Sequence, residues 1–348
     1  MTPSQKKHYP GIDRFRLIAA ILVVAIHTSP LTDINTTADF ILTRILARVA
    51  VPFFFMASGA FLFTGLNNEK PSPAKLINFL KKTALLYGVA VFLYLPLNFY
   101  TGTTADWLHF PKLLSDIVFN GTFYHLWYLP AAIMGACIVF ILRRSASVKA
   151  VFVITLLLYI AGLLGDSYYG VIEKIPFLSS IYSGIFQITE YTRNGLFFAP
   201  IFLLLGVLAL KCDKRLTLRT SLWGLAVSLF LMLTEGLVLH YLDVQRHDSM
   251  YMTLPLLMFF LFQCLLHQKG KGMAFLRPAS MLIYLIHPAV IVVVRGFAKA
   301  TGLEPLLIDN SLLHFVTVAF ISFLASAAAI KLKDLLSEKT STVKSLSS

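Results

Sequence analysis

The sequence predicts an all-α integral membrane protein, a bundle of about ten transmembrane helices with both termini cytoplasmic. Three observations carry this: composition, the length of the apolar runs and the uneven placement of basic residues. Of 348 residues, 57% are hydrophobic and 14% charged, where soluble domains average roughly 45–50% and 25%, and the mean hydropathy is +0.75. On that balance no soluble catalytic domain is expected within these residues. The apolar runs lie at roughly 12–31, 39–65, 79–100, 123–143, 148–165, 193–211, 218–242, 249–267, 276–299 and 311–333, near the 18 to 20 or so residues that cross a bilayer as a helix. Unbroken runs of this kind satisfy their backbones in lipid as helices, and the alternation of a barrel strand is missing. An even number of crossings puts both ends on one side. On that side fall 22 of the 30 Lys and Arg residues; six face the other way, and Arg44 and Arg48 lie inside the second segment. The positive-inside rule then makes the termini cytoplasmic. The net charge of +13 reads as a topology signal with attraction to anionic lipid heads, and no basic patch interleaved with aromatics points to nucleic acid.

Taken in order, the segments carry their polar residues at defined depths. The first follows Lys6 and Lys7 as a signal peptide would, but no small-residue cleavage site follows it, so it is expected to be retained. Within it, Arg16 and His27 are eleven positions apart, about 16 Å of rise and within about 20° of one face. A charge at mid-bilayer costs roughly 2.5–3.5 kcal/mol, so such a stripe is expected to line a cavity rather than face lipid. Arg44 and Arg48 are a turn apart in the second segment, one expected to pair with Glu235 or polarise a carbonyl and the other to reach the outer interface. His125 belongs to an aromatic opening, Tyr124 to Tyr128, of the fourth segment that an interfacial belt also explains. Arg193 and Asn194 are expected to start the sixth, where a helix N-terminus favours an anionic or hydroxyl-rich ligand. Glu235, deep in the seventh, needs a partner among His27, Arg48 or Arg193, either orienting His27 or forming a structural ion pair. Arg246, His247, Asp248 and Ser249 precede the eighth, with Asp248 or Ser249 expected as an N-cap. His287 is followed by Pro288, which breaks a backbone hydrogen bond and kinks a helix around a cavity. Cys137, Cys212 and Cys264 have neither disulfide nor metal-ligand spacing, and no zinc spacing or phosphate-cradling glycine loop occurs, so no metal is expected. One domain fills residues 1–338, with a disordered cytoplasmic tail over 339–348.

Four stretches together resemble the membrane acyltransferase 3 family: GIDRFRLIAAILVVAIHTSP, RVAVPFFFMASGAFLF, FYHLWYL and MLIYLIHPAVIV. TRNGLFFAPIFLLLG and QRHDSMYMTLPL further resemble the membrane half of the serine racemases of vancomycin-resistance clusters, here expected without the pyridoxal-phosphate racemase domain that follows in those proteins. The resemblance implies a multi-pass protein of a bacterial plasma membrane. It would transfer an acyl group, usually acetyl, from cytoplasmic acetyl-CoA to a hydroxyl of an extracytoplasmic cell-envelope glycan or precursor, with no permanently bound cofactor. On that basis Arg16, Lys81 and Lys82 are expected to hold the phosphates of coenzyme A, with Arg14 or Lys75 contributing, since cationic donors are what phosphate needs. The family often has Arg at the positions of Lys81 and Lys82; Lys binds phosphate as a point charge without the bidentate fork. His27 is the expected general base or transient acyl carrier, an imidazole titrating near working pH, with Glu235 and Arg48 assisting it. Arg193, Asn194, His125, His247 and His287 are the expected acceptor-side residues. Membrane lipid is the expected surrounding, and a homodimer is left open. The alternative function is an amino-acid (serine) carrier, which needs no basic inner end to its His27 stripe.

Overall fold

The computed structural model describes residues 9–63, 71–212 and 215–346. Every regular element among them is helical. Ten helical segments meet the ten apolar runs: α1 Pro10–Thr28, α2 Thr36–Leu62, α3 Pro73–Tyr100, α4 Tyr128–Ser145, α5 Val148–Leu164, α7 Ala199–Cys212, α8 Leu218–Tyr241, α9 Leu254–His267, α10 Leu276–Thr301 and α11 Ser311–Leu346. Six of them, α2, α3, α4, α8, α10 and the Ser311–Ser337 part of α11, are long and apolar enough to cross a membrane, while α5, α7 and α9 are apolar but shorter. The protein is therefore an all-α membrane protein. An additional helix, α6 Pro176–Ile188, lies in a stretch too short and too polar to register as a crossing in the sequence.

Local chemistry fixes the boundaries. Pro10 and Pro176 open their helices at positions where the missing N–H is no loss. Ser147 and Thr217 cap α5 and α8 by accepting from Ala150 N and Thr220 N. Ser29, in the left-handed region, closes α1 by donating its N–H to Ala25 O at 3.0 Å. α2 is not uniform: Ile41–Ile45 forms a π turn and Leu46–Val49 a 3₁₀ turn before the α-helix resumes at Ala50. Pro52 follows, unable to donate to the carbonyl four residues back, that of Arg48. α11 runs helical to Leu346, through the stretch for which the sequence predicts a disordered tail.

The chain divides into two compact units, residues 1–43 with 269–348, and residues 44–268. In the first, α1, α10 and α11 pack on one another. Its buried surface is small and branched: Ala19, Ala20 and Val24 of α1, Ala279 and Ile283 of α10. In the second, the Ala50–Leu62 part of α2 lies against α7, which also contacts α4, α5 and α9. The α2–α7 crossing is a contact of backbones. A Cβ at Gly59 would overlap the Leu203 carbonyl, and one at Gly206 would overlap the Met56 carbonyl. Small residues at such a crossing are what lets helices in lipid approach closely.

Candidate functional site

In the first unit the polar residues gather at the two ends of α1. Near its start, Asp13 is wholly buried and accepts from Arg277 of α10, with Nε 2.7 Å from Oδ1 and Nη2 3.4 Å from Oδ2. Arg16 Nε stands 3.9 Å from the same Oδ1. A buried carboxylate needs such partners, and it holds two guanidiniums in place. Arg14, exposed, lies against Gly270, whose φ of +130° only glycine adopts without strain. Two arginines on one carboxylate, with Arg14 beside them in sequence, leave a net positive end suited to phosphate. Arg277 and Asp13 were not recognisable as site residues from the sequence; the signal present was a lone acid, Asp13, inside an apolar run.

At the other end of α1, His27 is half-buried and stacks on the wholly buried His287 of α10, with ring centroids 5.3 Å apart and planes inclined by 25°. His287 is fixed by the residue after it. Pro288 has no N–H for the carbonyl of Tyr284, and His287 Nδ1 takes that place at 2.9 Å, with Ile283 O at 3.1 Å. Both carbonyls only accept, so His287 Nδ1 carries the proton it donates. α1 is continuous, so Arg16 and His27 stand about three turns apart on one stripe.

In the second unit Lys81 and Lys82 lie exposed on α3. A separate polar cluster forms where α2 meets the segments before α7 and α9. Arg48, buried, pairs with Asp248. Arg44 Nε lies 3.6 Å from the other oxygen of Asp248, and Tyr251 Oη donates to the Arg44 carbonyl at 2.8 Å. The expectation that one arginine pairs with Glu235 while the other reaches the interface is corrected: both converge on Asp248, as residues a turn apart can. The expected N-cap role of Asp248 yields to the same pairing. Burial raises the Asp248 carboxyl, but Arg48 and Arg44 outweigh it and hold the group below its ordinary value.

Glu235 serves the backbone. Its Oε1 accepts from Tyr168 Oη at 2.9 Å and Met252 N at 2.6 Å, and its Oε2 from Thr253 Oγ1 at 2.7 Å and Thr253 N at 3.1 Å. The carboxylate thus covers the free N–H groups at the start of α9, favourable by both hydrogen bonding and dipole, in place of the expected ion pair with Arg48. Arg193 and Asn194 do not open a helix either, since α7 begins at Ala199. Asn194, buried, accepts from Leu196 N and Phe197 N and donates to Tyr191 O, shaping the turn ahead of α7. Arg193 lies over two rings, 4.6 Å from the centroid of Tyr191 and 5.2 Å from that of Trp127. His125 is buried among Tyr94, Phe123 and Tyr124.

Asp166, which no sequence signal marked, organises the loop before α9. Its Oδ1 accepts from Ser249 N at 2.8 Å and Met250 N at 2.9 Å, while its buried Oδ2 has no hydrogen-bond partner. Burial pushes this carboxyl up to about 6, partly opposed by the Ser249 N–H and the charge of Arg193. His247 shares a hydrogen bond with Ser249 Oγ at 2.8 Å and meets the Tyr191 ring edge-on at 4.7 Å. Burial, with the charges of Arg193 and Arg48, brings its pKa down to about 3. The folded chain therefore binds fewer protons at His247 than the unfolded chain does between pH 3 and 6.5, so this stabilising contribution is whole above pH 6.5 and fades as the pH falls. Asp166, raised instead, acts oppositely below about pH 6. His247→Gln is accordingly expected to lessen the loss of thermal stability between pH 7 and pH 5. Melting curves in detergent across that range measure it, and an unchanged wild-type profile would contradict the assignment.

The chain matches the family described as an acyltransferase domain over residues 9–331. Among curated proteins it is 46% identical over 322 residues to a protein named "Amino-acid racemase" from Enterococcus faecalis, covering 92% of this chain and 44% of the relative. It is 40% identical over 319 residues to a "Serine/alanine racemase" from Enterococcus gallinarum, covering 90% and 44%. The chain thus spans less than half the length of these relatives. No solved structure matches it.

Proposed function

Because the chain belongs to the acyltransferase domain family, we propose that it is a membrane-embedded O-acyltransferase. It moves an acyl group, acetyl in the simplest case, from cytoplasmic acyl-CoA to a hydroxyl of an acceptor at the outer face, a cell-envelope glycan or its precursor. The bundle crosses a bacterial plasma membrane about ten times with both termini inside. The observation that carries this reading is the layout of α1: arginines gathered on Asp13 at one end and a stacked imidazole pair at the other. In this reading Arg16, with Arg14 and Arg277, receives the CoA phosphates, Lys81 and Lys82 add positive charge on their own helix, and the thioester reaches His27. The His27 imidazole takes the acceptor's hydroxyl proton as the oxygen attacks the thioester carbonyl; the C–S bond breaks, and the CoA sulfur leaves with the proton returned by His27. Transient acylation of His27 is the two-step version of the same transfer. His287 keeps the His27 ring in place by stacking on it.

The test is thiol release from radiolabelled acetyl-CoA by purified protein in nanodiscs, with and without cell-wall extract. Release that rises with extract is expected, and Arg16→Ala should raise KM for the donor by about 10-fold or more, the weight of one charge-assisted hydrogen bond. A second reading, an amino-acid carrier, draws on the names of the relatives, which are amino-acid and serine/alanine racemases. Uptake of a labelled amino acid into proteoliposomes without any acyl donor, together with absent thiol release, would favour it.

A further inference from the structure

The first unit holds a groove of about 620 Å³ between the start of α10 and the far part of α11, within the roughly 300–1,000 Å³ of small-molecule sites. Its lining is graded. Met281 and Leu282 of α10 with Ala329 and Ile330 of α11 make an apolar part, and Lys333 and Asp334 stand one turn further along α11. Arg277, whose neighbours in sequence also border the groove, is engaged with Asp13 instead, so Lys333 and Asp334 are the charged residues that line it. Both are exposed and lie in the final turns of the apolar stretch Ser311–Ser337, the level at which a span meets water. Neighbours along a helix do not face each other, so the two charges stand side by side on the groove wall rather than cancelling as a pair.

We propose that this groove holds a membrane phospholipid with a primary ammonium in its headgroup, the phosphate on Lys333 and the ammonium on Asp334. The graded lining calls for an amphiphile, with acyl chain against the apolar part and head at the charged rim. The rim calls for a head without net charge. One cation beside one acid matches a phosphate linked to an ammonium, whereas a purely anionic head would satisfy Lys333 and set its charge against Asp334. A primary ammonium fits better than a quaternary one, because its N–H groups donate charge-assisted hydrogen bonds to the Asp334 carboxylate while Lys333 Nζ donates to the phosphate oxygens. A protein helix is a poorer occupant, since it would strip water from Lys333 and Asp334 without pairing them. A headgroup leaves both at the depth where they are solvated.

The experiment is native mass spectrometry of the full chain in detergent, equilibrated with dioleoyl phosphatidylethanolamine, phosphatidylcholine or phosphatidylglycerol and read as retention of the first bound lipid. The ethanolamine lipid is expected to be retained over the other two by about five-fold or more, the weight of one partly exposed charge contact. Asp334→Asn is expected to shrink that preference to within about two-fold, and Lys333→Gln to weaken all three lipids, since each carries a phosphate. Ala329→Trp, which fills the apolar part, is expected to abolish first-lipid retention whatever the head. All three positions are exposed, so these substitutions leave the packing of α10 on α11 intact. Excess coenzyme A is expected to leave the lipid in place. Equal retention of the three lipids, a preference that survives Asp334→Asn, retention that survives Ala329→Trp, or displacement by coenzyme A overturns the proposal.

Discussion

His27→Ala is expected to lower acyl transfer by about 10²- to 10⁴-fold, the range that a positioned general base contributes. Its structural cost should be small. The imidazole is half-buried at the end of α1, and its ring partner His287 is held independently by the carbonyls of Tyr284 and Ile283. A truncated side chain therefore removes the chemistry while α1 and α10 keep their small-residue packing. Donor KM should change little, because Arg16, proposed to hold the donor's phosphates, lies about three turns away on α1. Single-turnover thiol release in nanodiscs separates the two quantities. Thioester consumption unchanged in the His27→Ala protein would end the case for that residue.

Arg48→Ala is expected to destabilise the protein by about 3–5 kcal/mol, the consequence of removing one member of a buried ion pair. Asp248 would keep Arg44 as its nearest guanidinium, 41% exposed and 3.6 Å away, so the water-screened attraction that remains is weak. Removing both partners should cost less than the two single losses together, since the double variant leaves no buried charge behind. Melting of Arg48→Ala, Asp248→Ala and the double variant in one detergent forms the cycle that isolates the pair. Additive losses, or a single loss below about 1 kcal/mol, would show that the contact is incidental.

Much of the architecture was readable in the sequence because lipid imposes one rule: an apolar run long enough to cross must be helical. Each of the ten runs contains a helix among the described residues, and six of those helices are long and apolar enough to cross. The stripe that joins Arg16 to His27 was readable too, since it needs only helical periodicity within one segment. What escaped were partnerships between distant positions. Asp13 with Arg277, and Asp166 with Ser249, join residues separated by 264 and 83 positions, and no local pattern announces them. The start of α7 was misplaced because Arg193 and Asn194 look like a helix opening, whereas Asn194 spends its amide on a turn. Glu235 invited a charged partner, yet four donors from Tyr168, Met252 and Thr253 had a better geometric claim. The arginine pair shares a face as its spacing predicts, but its partner, Asp248, lies 200 positions from Arg48.

The backbone contact of Gly59 with Leu203 and of Gly206 with Met56 has a mechanical consequence. With two reciprocal points of touch and no side chain between them, the paired helices can neither roll nor slide without collision. They act as a fixed chassis for the second unit.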